Sequence, residues 1–158
     1  MARQAEFPVA DLILRRWSPR AMSGAPVTHA ELMPLFEAAR WAPSAGNGQP
    51  WRFVFARRDE PAFPAFLDLL EPGNRVWCER AGALVVLLAR TRRPNGKPIA
   101  THAFDAGAAW MAFALQGTAA GLVVHAMAGF DYARAAALVA VFALLAACRR
   151  LKLGRDAP

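Results

Sequence analysis

Cysteine is scarce in this chain. Cys78 and Cys148 are its only two, and neither has a partner at metal-binding or redox spacing. That usage excludes a disulfide framework and fits buried, inert thiols in a reducing compartment. The three histidines, His29, His102 and His125, include no helical i, i+4 pair, so no metal site is expected. There is no G-x-S-x-G nucleophile elbow and no G-x-x-x-x-G-K-[ST] phosphate loop. Gly46-Asn47-Gly48 opens like a dinucleotide fingerprint, but Trp51 stands at the third glycine position and Pro50 precedes it. The first sixteen residues lack the apolar core and cleavage site of a secretory leader. Long uninterrupted apolar runs are missing too. Ala106 to Phe130 is broken by Gln116, Thr118 and His125, and Ala135 to Cys148 is only 14 residues, against the roughly 20 that a spanning helix needs. Both stretches are expected in a core. The expectation is a cytoplasmic protein without a membrane partner.

What is present suits one domain over residues 1–158, a length that buries a real core. Hydrophobic residues make up 56% of the chain, with ten Phe and five Trp. The net charge is +7 and the pI about 10.9, which points to anionic partners. The cations are scattered in runs of two at most, such as Arg15-Arg16 and Arg92-Arg93. A nucleic-acid surface concentrates them in a stripe, so no nucleic-acid partner is expected.

Asp11 to Arg16 reads as a short helix with Leu12 and Ile13 inward, ended before Pro19. Thr28 and Glu31 form a T-x-x-E capping box, with Val27 and Leu32 spaced for a hydrophobic staple. Leu32, Leu35, Phe36 and Ala39 then supply a helical buried face, and Pro34 is expected to bend that helix or delay its start. Trp51 to Ala56 reads as a strand and Ala83 to Ala89 as a strand buried on both faces, with a short helix from Phe63 to Leu70 between them. His102 to Ala120 is the longest helix, stopped by Gly121, with Phe104, Trp110, Met111, Ala114 and Leu115 on or near one face. Its small residues, Gly107, Ala108, Ala112 and Gly117 among them, allow another helix to approach closely. Val123 to Met127 reads as a third strand and Asp131 as the cap of a last helix. The alternation is that of an α+β or α/β fold.

Two segments carry chemistry. Pro19 holds Ser18 extended, and alternation turns Arg16, Ser18 and Arg20 to one side, where two guanidinium groups and a hydroxyl suit a phosphate monoester. The stretch from Pro43 to Phe53 admits two readings. Asn-Gly and Pro are ordinary turn chemistry. Equally, Gly46 and Gly48 let the backbone approach a flat ligand while Asn47 and Gln49 offer amides.

The string AARWAPSAGNGQPWRF, following R-x-S-x-R, resembles the signature of the nitroreductase family of flavin enzymes. THAFDAGAAWMAFALQGTAAGLVVHAMAGFD, residues 101–131, is similar to that family's central helix and the segment after it. The resemblance implies an α+β fold, an α-β-α sandwich with a mainly antiparallel central sheet flanked by helices. It implies that Arg16, Ser18 and Arg20 hold the phosphate and ribityl chain of FMN. Pro43, Ser44, Ala45 and Asn47 are then the loop lying against the flavin bound mainly by the other subunit of a homodimer. Asn74 is placed like the family's asparagine at the flavin ring, and Ala128-Gly129 like the turn whose backbone N–H groups face flavin N5. The implied activity is ping-pong: NAD(P)H reduces the flavin and leaves, and a small electron acceptor such as a nitroaromatic or quinone follows. No catalytic side chain is implied, because the cofactor carries the reactivity.

After Asp131 the chain, DYARAAALVAVFALLAACRRLKLGRDAP, departs from the family pattern and ends early, so residues 132–158 are atypical. Val139 to Ala146 reads as helix or strand, with alanine and leucine content favouring helix. Arg149, Arg150 and Lys152 are candidates for a phosphate contact with nothing to align them. Such a tail is expected to weaken flavin affinity and dimerisation. It keeps two alternatives open: another flavin reaction on the same fold, such as dehalogenation or flavin fragmentation, and an inactive truncated family member.

Overall fold

The computed structural model describes residues 3–140. The remaining predictions, for Cys148, Arg149, Arg150, Lys152 and most of Val139–Ala146, lie outside them.

Helix α1 spans Asp11–Arg15 and α2 His29–Arg40. Strand β1 is Trp51–Arg57, followed by the short helices α3, Phe63–Leu67, and α4, Pro72–Cys78. Strand β2 is Ala83–Ala89 and α5 is His102–Ala119. A last helix, α6, occupies residues 132–140.

The capping box forms as its spacing demands. The Glu31 N–H donates to Thr28 Oγ1 at 3.2 Å and the Thr28 N–H to Glu31 Oε2 at 2.8 Å. The Thr28 hydroxyl also donates to Glu31 Oε2 at 2.6 Å, and this bond, with that from the Thr28 N–H, holds the Glu31 carboxyl below its ordinary pKa. Pro34 lies inside α2 without delaying its start at His29, because the box secures the first turn ahead of it. Helix α5 ends in a Schellman turn. Gly121 takes φ +75°, its N–H donates to Thr118 O, and the Leu122 N–H donates to Gly117 O at 2.8 Å. Asp131 caps α6 by accepting from the Arg134 N–H at 2.9 Å.

β1 and β2 pair antiparallel, from Trp51 opposite Ala89 to Arg57 opposite Ala83. Alternation sends Phe53, Phe55, Val85 and Leu87 to α2 and α5, where Phe36 and Phe113 complete an aromatic cluster with ring centroids 5.0–5.8 Å apart. Val54, Ala56, Leu84 and Val86 face the other way, against Phe63 and Phe66 of α3, Cys78 of α4 and Leu138 of α6. The result is helices on both faces of a small antiparallel sheet.

Four sequence expectations fail. Among the described residues Val123–Met127 pairs with no strand; the nearest ladder contact is the single bridge Leu70–Phe130. β2 has no strand on its outer edge among the described residues; it is mostly half-buried, with Leu84 its one buried residue. A cavity of about 780 Å³ lies there, lined by β2, α5 and residues 121–128. Helix α1 buries nothing, and Ile13 is 51% exposed. On α5 the buried stripe is Ala106, Ala109, Phe113, Ala114 and Gly117, whereas Phe104 is 80% exposed and Met111 40%.

Candidate functional site

The backbone from Arg16 to Ser23 is irregular. The Arg16 guanidinium reaches Ser18 Oγ at 3.3 Å, so the two side chains do share a side. Arg16 is half-buried, and Ser18 and Arg20 are exposed. Pro19 is buried, and its carbonyl lies 3.1 Å from His125 Nδ1. The His125 ring packs on Trp77 of α4 at 4.5 Å. Farther along, Arg80 donates to Ser23 O at 2.9 Å. Contacts thus run from the arginine segment through His125 to α4.

Asn74 lies one turn before Trp77 on α4. Its side-chain amide donates to Gly129 O at 3.0 Å, and the Glu71 N–H donates to the same carbonyl at 3.1 Å. A Cβ on Gly129 would stand 2.5 Å from Asn74 Nδ2 and 2.8 Å from Glu71 Oε2, so only glycine allows this approach. Among the described residues, the N–H groups of Ala128 and Gly129 donate to no acceptor. The buried Trp77 indole N–H also lacks a partner there. The two free backbone donors at the clamped turn suit a ligand that presents hydrogen-bond acceptors.

The amide loop is tied elsewhere. It makes a single 3₁₀ turn at Ala45–Asn47, where Gly46 has φ +57°, Asn47 +51° and Gln49 +41°. Positive φ at two non-glycine residues marks a conformation that its surroundings must hold. Ser44 Oγ helps by accepting from the Gln49 N–H at 3.0 Å. Asp105, in the first turn of α5, helps again. It is 2% exposed, lies 3.4 Å from the Ala45 N–H through both oxygens, and accepts from Thr101 Oγ1 at 2.9 Å. Pro43, Ala45, Gly46 and Asn47 remain exposed. No hydrogen bond links this loop to Arg16–Arg20 or to Asn74 and Gly129 among the described residues.

Motif reading singled out neither Asp105 nor Trp77. An aspartate three residues inside an otherwise apolar helix start was the available signal for the first. For the second there was none, because α4 itself was unanticipated behind Pro72-Gly73. Replacing Asp105 by Ala removes the acceptor from the Ala45 N–H and the Thr101 hydroxyl. The expected loss is about 1–3 kcal/mol of stability, read as a lowered unfolding midpoint together with faster amide exchange at Ala45.

Cys78 is fully buried, its thiol 3.7 Å from the Met127 sulfur, and burial pushes its pKa up to about 11. In a Cys148→Ser background the native protein is expected to react with a thiol reagent at pH 8 far more slowly than the unfolded chain. The unfolded thiol ionises near pH 8.5. Above that pH the unfolded state loses a proton that the native state keeps until about 11. Stability is therefore expected to fall as pH rises through this window.

A small antiparallel sheet between helices, with a clamped glycine turn and a strained amide loop, defines an α+β scaffold. Known proteins sharpen that class. The sequence model of the Nitroreductase family matches residues 13–69. A solved structure described as an oxidoreductase containing FMN is 46% identical, with a TM-score of 0.78, covering 81% of this chain and 67% of that one. A nitroreductase structure in complex with FMN from Desulfovibrio desulfuricans is 25% identical, with a TM-score of 0.59, covering 73% of this chain and 64% of that one. A Streptomyces coelicolor protein assigned as NADH dehydrogenase/NAD(P)H nitroreductase is 33% identical, covering 67% of this chain and 62% of that protein. The chain belongs to the nitroreductase family. It spans between 32% and 62% of the length of the curated relatives it matches. No described helix is long and apolar enough to cross a membrane.

Proposed function

We propose that the chain is an FMN-dependent oxidoreductase that passes electrons from NAD(P)H to small acceptors such as nitroaromatics or quinones, working as a cytoplasmic homodimer. The observation that carries this reading is the cradle at Gly129. The Asn74 amide and the Glu71 N–H fix its carbonyl, and the Ala128 and Gly129 N–H groups stay free to donate. Bound FMN supplies a hydride acceptor and a one- or two-electron donor, so no acidic or nucleophilic side chain is required. The chain's own part is electrostatic. Backbone donors held in place without a side chain stabilise negative charge at no reorganisation cost. In this assignment Arg16, Ser18 and Arg20 take the phosphate end, and Asn74 the ring.

The amide loop of Pro43, Ser44, Ala45 and Asn47 has no tie to that cradle within one chain, which supports its serving a second copy. The exposed Phe104, Gly107 and Met111 on α5 form an apolar face bordered by small residues, suited to pairing two copies. The test is reconstitution. Protein refolded with FMN is expected to elute as a dimer, retain a flavin absorbance band after desalting, and oxidise NAD(P)H when a quinone or nitroaromatic is added. Desalted protein without the band, or with it but without turnover, contradicts the reading.

A further inference from the structure

One basic concavity shares only Ala45, at its edge, with that assignment. Residues 90–97, after β2, hold Arg90, Arg92, Arg93 and Lys97 and no acidic residue. The segment is braced. The Arg90 N–H donates to Pro50 O at 2.9 Å, the Arg93 N–H to Lys97 O at 2.8 Å, and the Ile99 N–H to Thr91 O at 2.8 Å. The Arg92 guanidinium closes the turn on Gly96 O at 3.0 Å. Between this turn and the amide loop lies a cavity of about 310 Å³, lined by Ala45, Gly48, Arg90, Arg93, Asn95 and Ile99. Among the described residues no carboxylate pairs with Arg90, Arg93 or Lys97. Asp105, the buried acid beneath the loop, is already engaged by the Ala45 N–H and Thr101.

We propose that this concavity binds the phosphate monoester of a nucleotide, namely the 2′-phosphate end of NADPH, and so makes the chain select NADPH over NADH. Two unpaired guanidinium groups on a braced turn match a dianionic phosphate in charge and in fork geometry. The Asn95 amide adds a donor, and Ile99 and Ala45 offer apolar surface to a sugar. The cavity has room for a phosphorylated ribose rather than for a bare anion alone. The identity of the ligand rests on the proposed donor chemistry; the phosphate site itself does not.

The test uses the full chain loaded with FMN, titrated calorimetrically with adenosine 2′,5′-bisphosphate and with 5′-AMP. The bisphosphate is expected to bind roughly 10-fold tighter or more, as charge-assisted contacts to a second phosphate should give, and more weakly as salt rises. In the Arg90→Ala/Arg93→Ala variant that preference is expected to vanish, and the NADPH-over-NADH ratio of kcat/KM to fall by the same factor. The Arg90→Lys/Arg93→Lys variant should restore part of both. Both arginines are exposed, and an unchanged unfolding midpoint confirms that the variants fold. Equal binding of the two nucleotides overturns the proposal. So does a double-alanine variant that keeps its selectivity, or one that loses NADH and NADPH turnover by the same factor. The same nucleotide titration is repeated on the flavin-free full chain, so a chain that rejects FMN but discriminates the two nucleotides would refute the oxidoreductase reading and leave this site standing.

Discussion

Replacing both Arg16 and Arg20 by Ala is expected to weaken FMN binding by roughly 100-fold or more, since each charge-assisted bond to phosphate contributes about 1.5–3 kcal/mol and each 1.4 kcal/mol is about tenfold. The loss should fall on affinity and not on folding. Arg20 is exposed, Arg16 is half-buried, and the neighbouring α1 buries nothing. A flavin fluorescence titration reads the affinity, and thermal unfolding without FMN checks that the fold is intact. Lysine at both positions should recover part of the affinity, because it keeps the charge but loses the planar fork. Added FMN should raise the unfolding midpoint of the parent and leave that of the alanine variant nearly unchanged, as linkage requires of a ligand that binds the native state.

The largest stability effect is expected at Phe113→Ala, about 3–5 kcal/mol. Phe113 is 6% exposed and its ring lies 5.2 Å from Phe36 and 5.8 Å from Phe53. It therefore joins α5 to α2 and β1 at the middle of the sheet's packed face. The large cavity beside β2 already borders Phe113, so truncation enlarges a space that the described neighbouring side chains leave open. Chemical denaturation should show the midpoint shift. A loss under 1 kcal/mol would mean that the aromatic cluster collapses to refill the site. Phe104→Ala on the same helix should change monomer stability little, because Phe104 is exposed.

Locally encoded features were legible in the sequence. The Thr28–Glu31 box, the Gly121 stop and the Asp131 cap each depend on residues within a few positions of one another, and each forms as expected. So do both paired strands, whose apolar runs are bounded by turns. Non-local features were not legible. Val123–Met127 has strand composition, yet a strand needs a partner, and nothing within the segment says whether one stands beside it. Helix α5 is apolar nearly all round, so its sequence could not tell the packed stripe of Ala109 and Phe113 from the exposed side at Phe104 and Met111.

The candidate site divides the same way. The Arg16–Ser18 contact follows from alternation in an extended segment. By contrast, the approach of Asn74 to Gly129 crosses 55 positions, and only resemblance to the family suggested that both belong to one site. Positive φ at Gln49 was invisible because glutamine adopts it only when held there; asparagine tolerates it more readily, but nothing local requires it at Asn47. The holding groups, Ser44 Oγ and the Asp105 carboxylate, come from five and sixty positions away.

Sharing of one flavin between two copies can be read directly by mixing two defective variants. One carries Arg16→Ala and Arg20→Ala; the other carries Ser44→Ala and Asn47→Ala. Each alone is expected to retain little flavin. Unfolded together in equal amounts and refolded with FMN, they should recover roughly a quarter of the parent's bound flavin, because about half of the dimers are mixed and each mixed dimer has one intact site. Recovery no greater than that of the separate variants would show that arginine segment and amide loop do not meet around a common ligand.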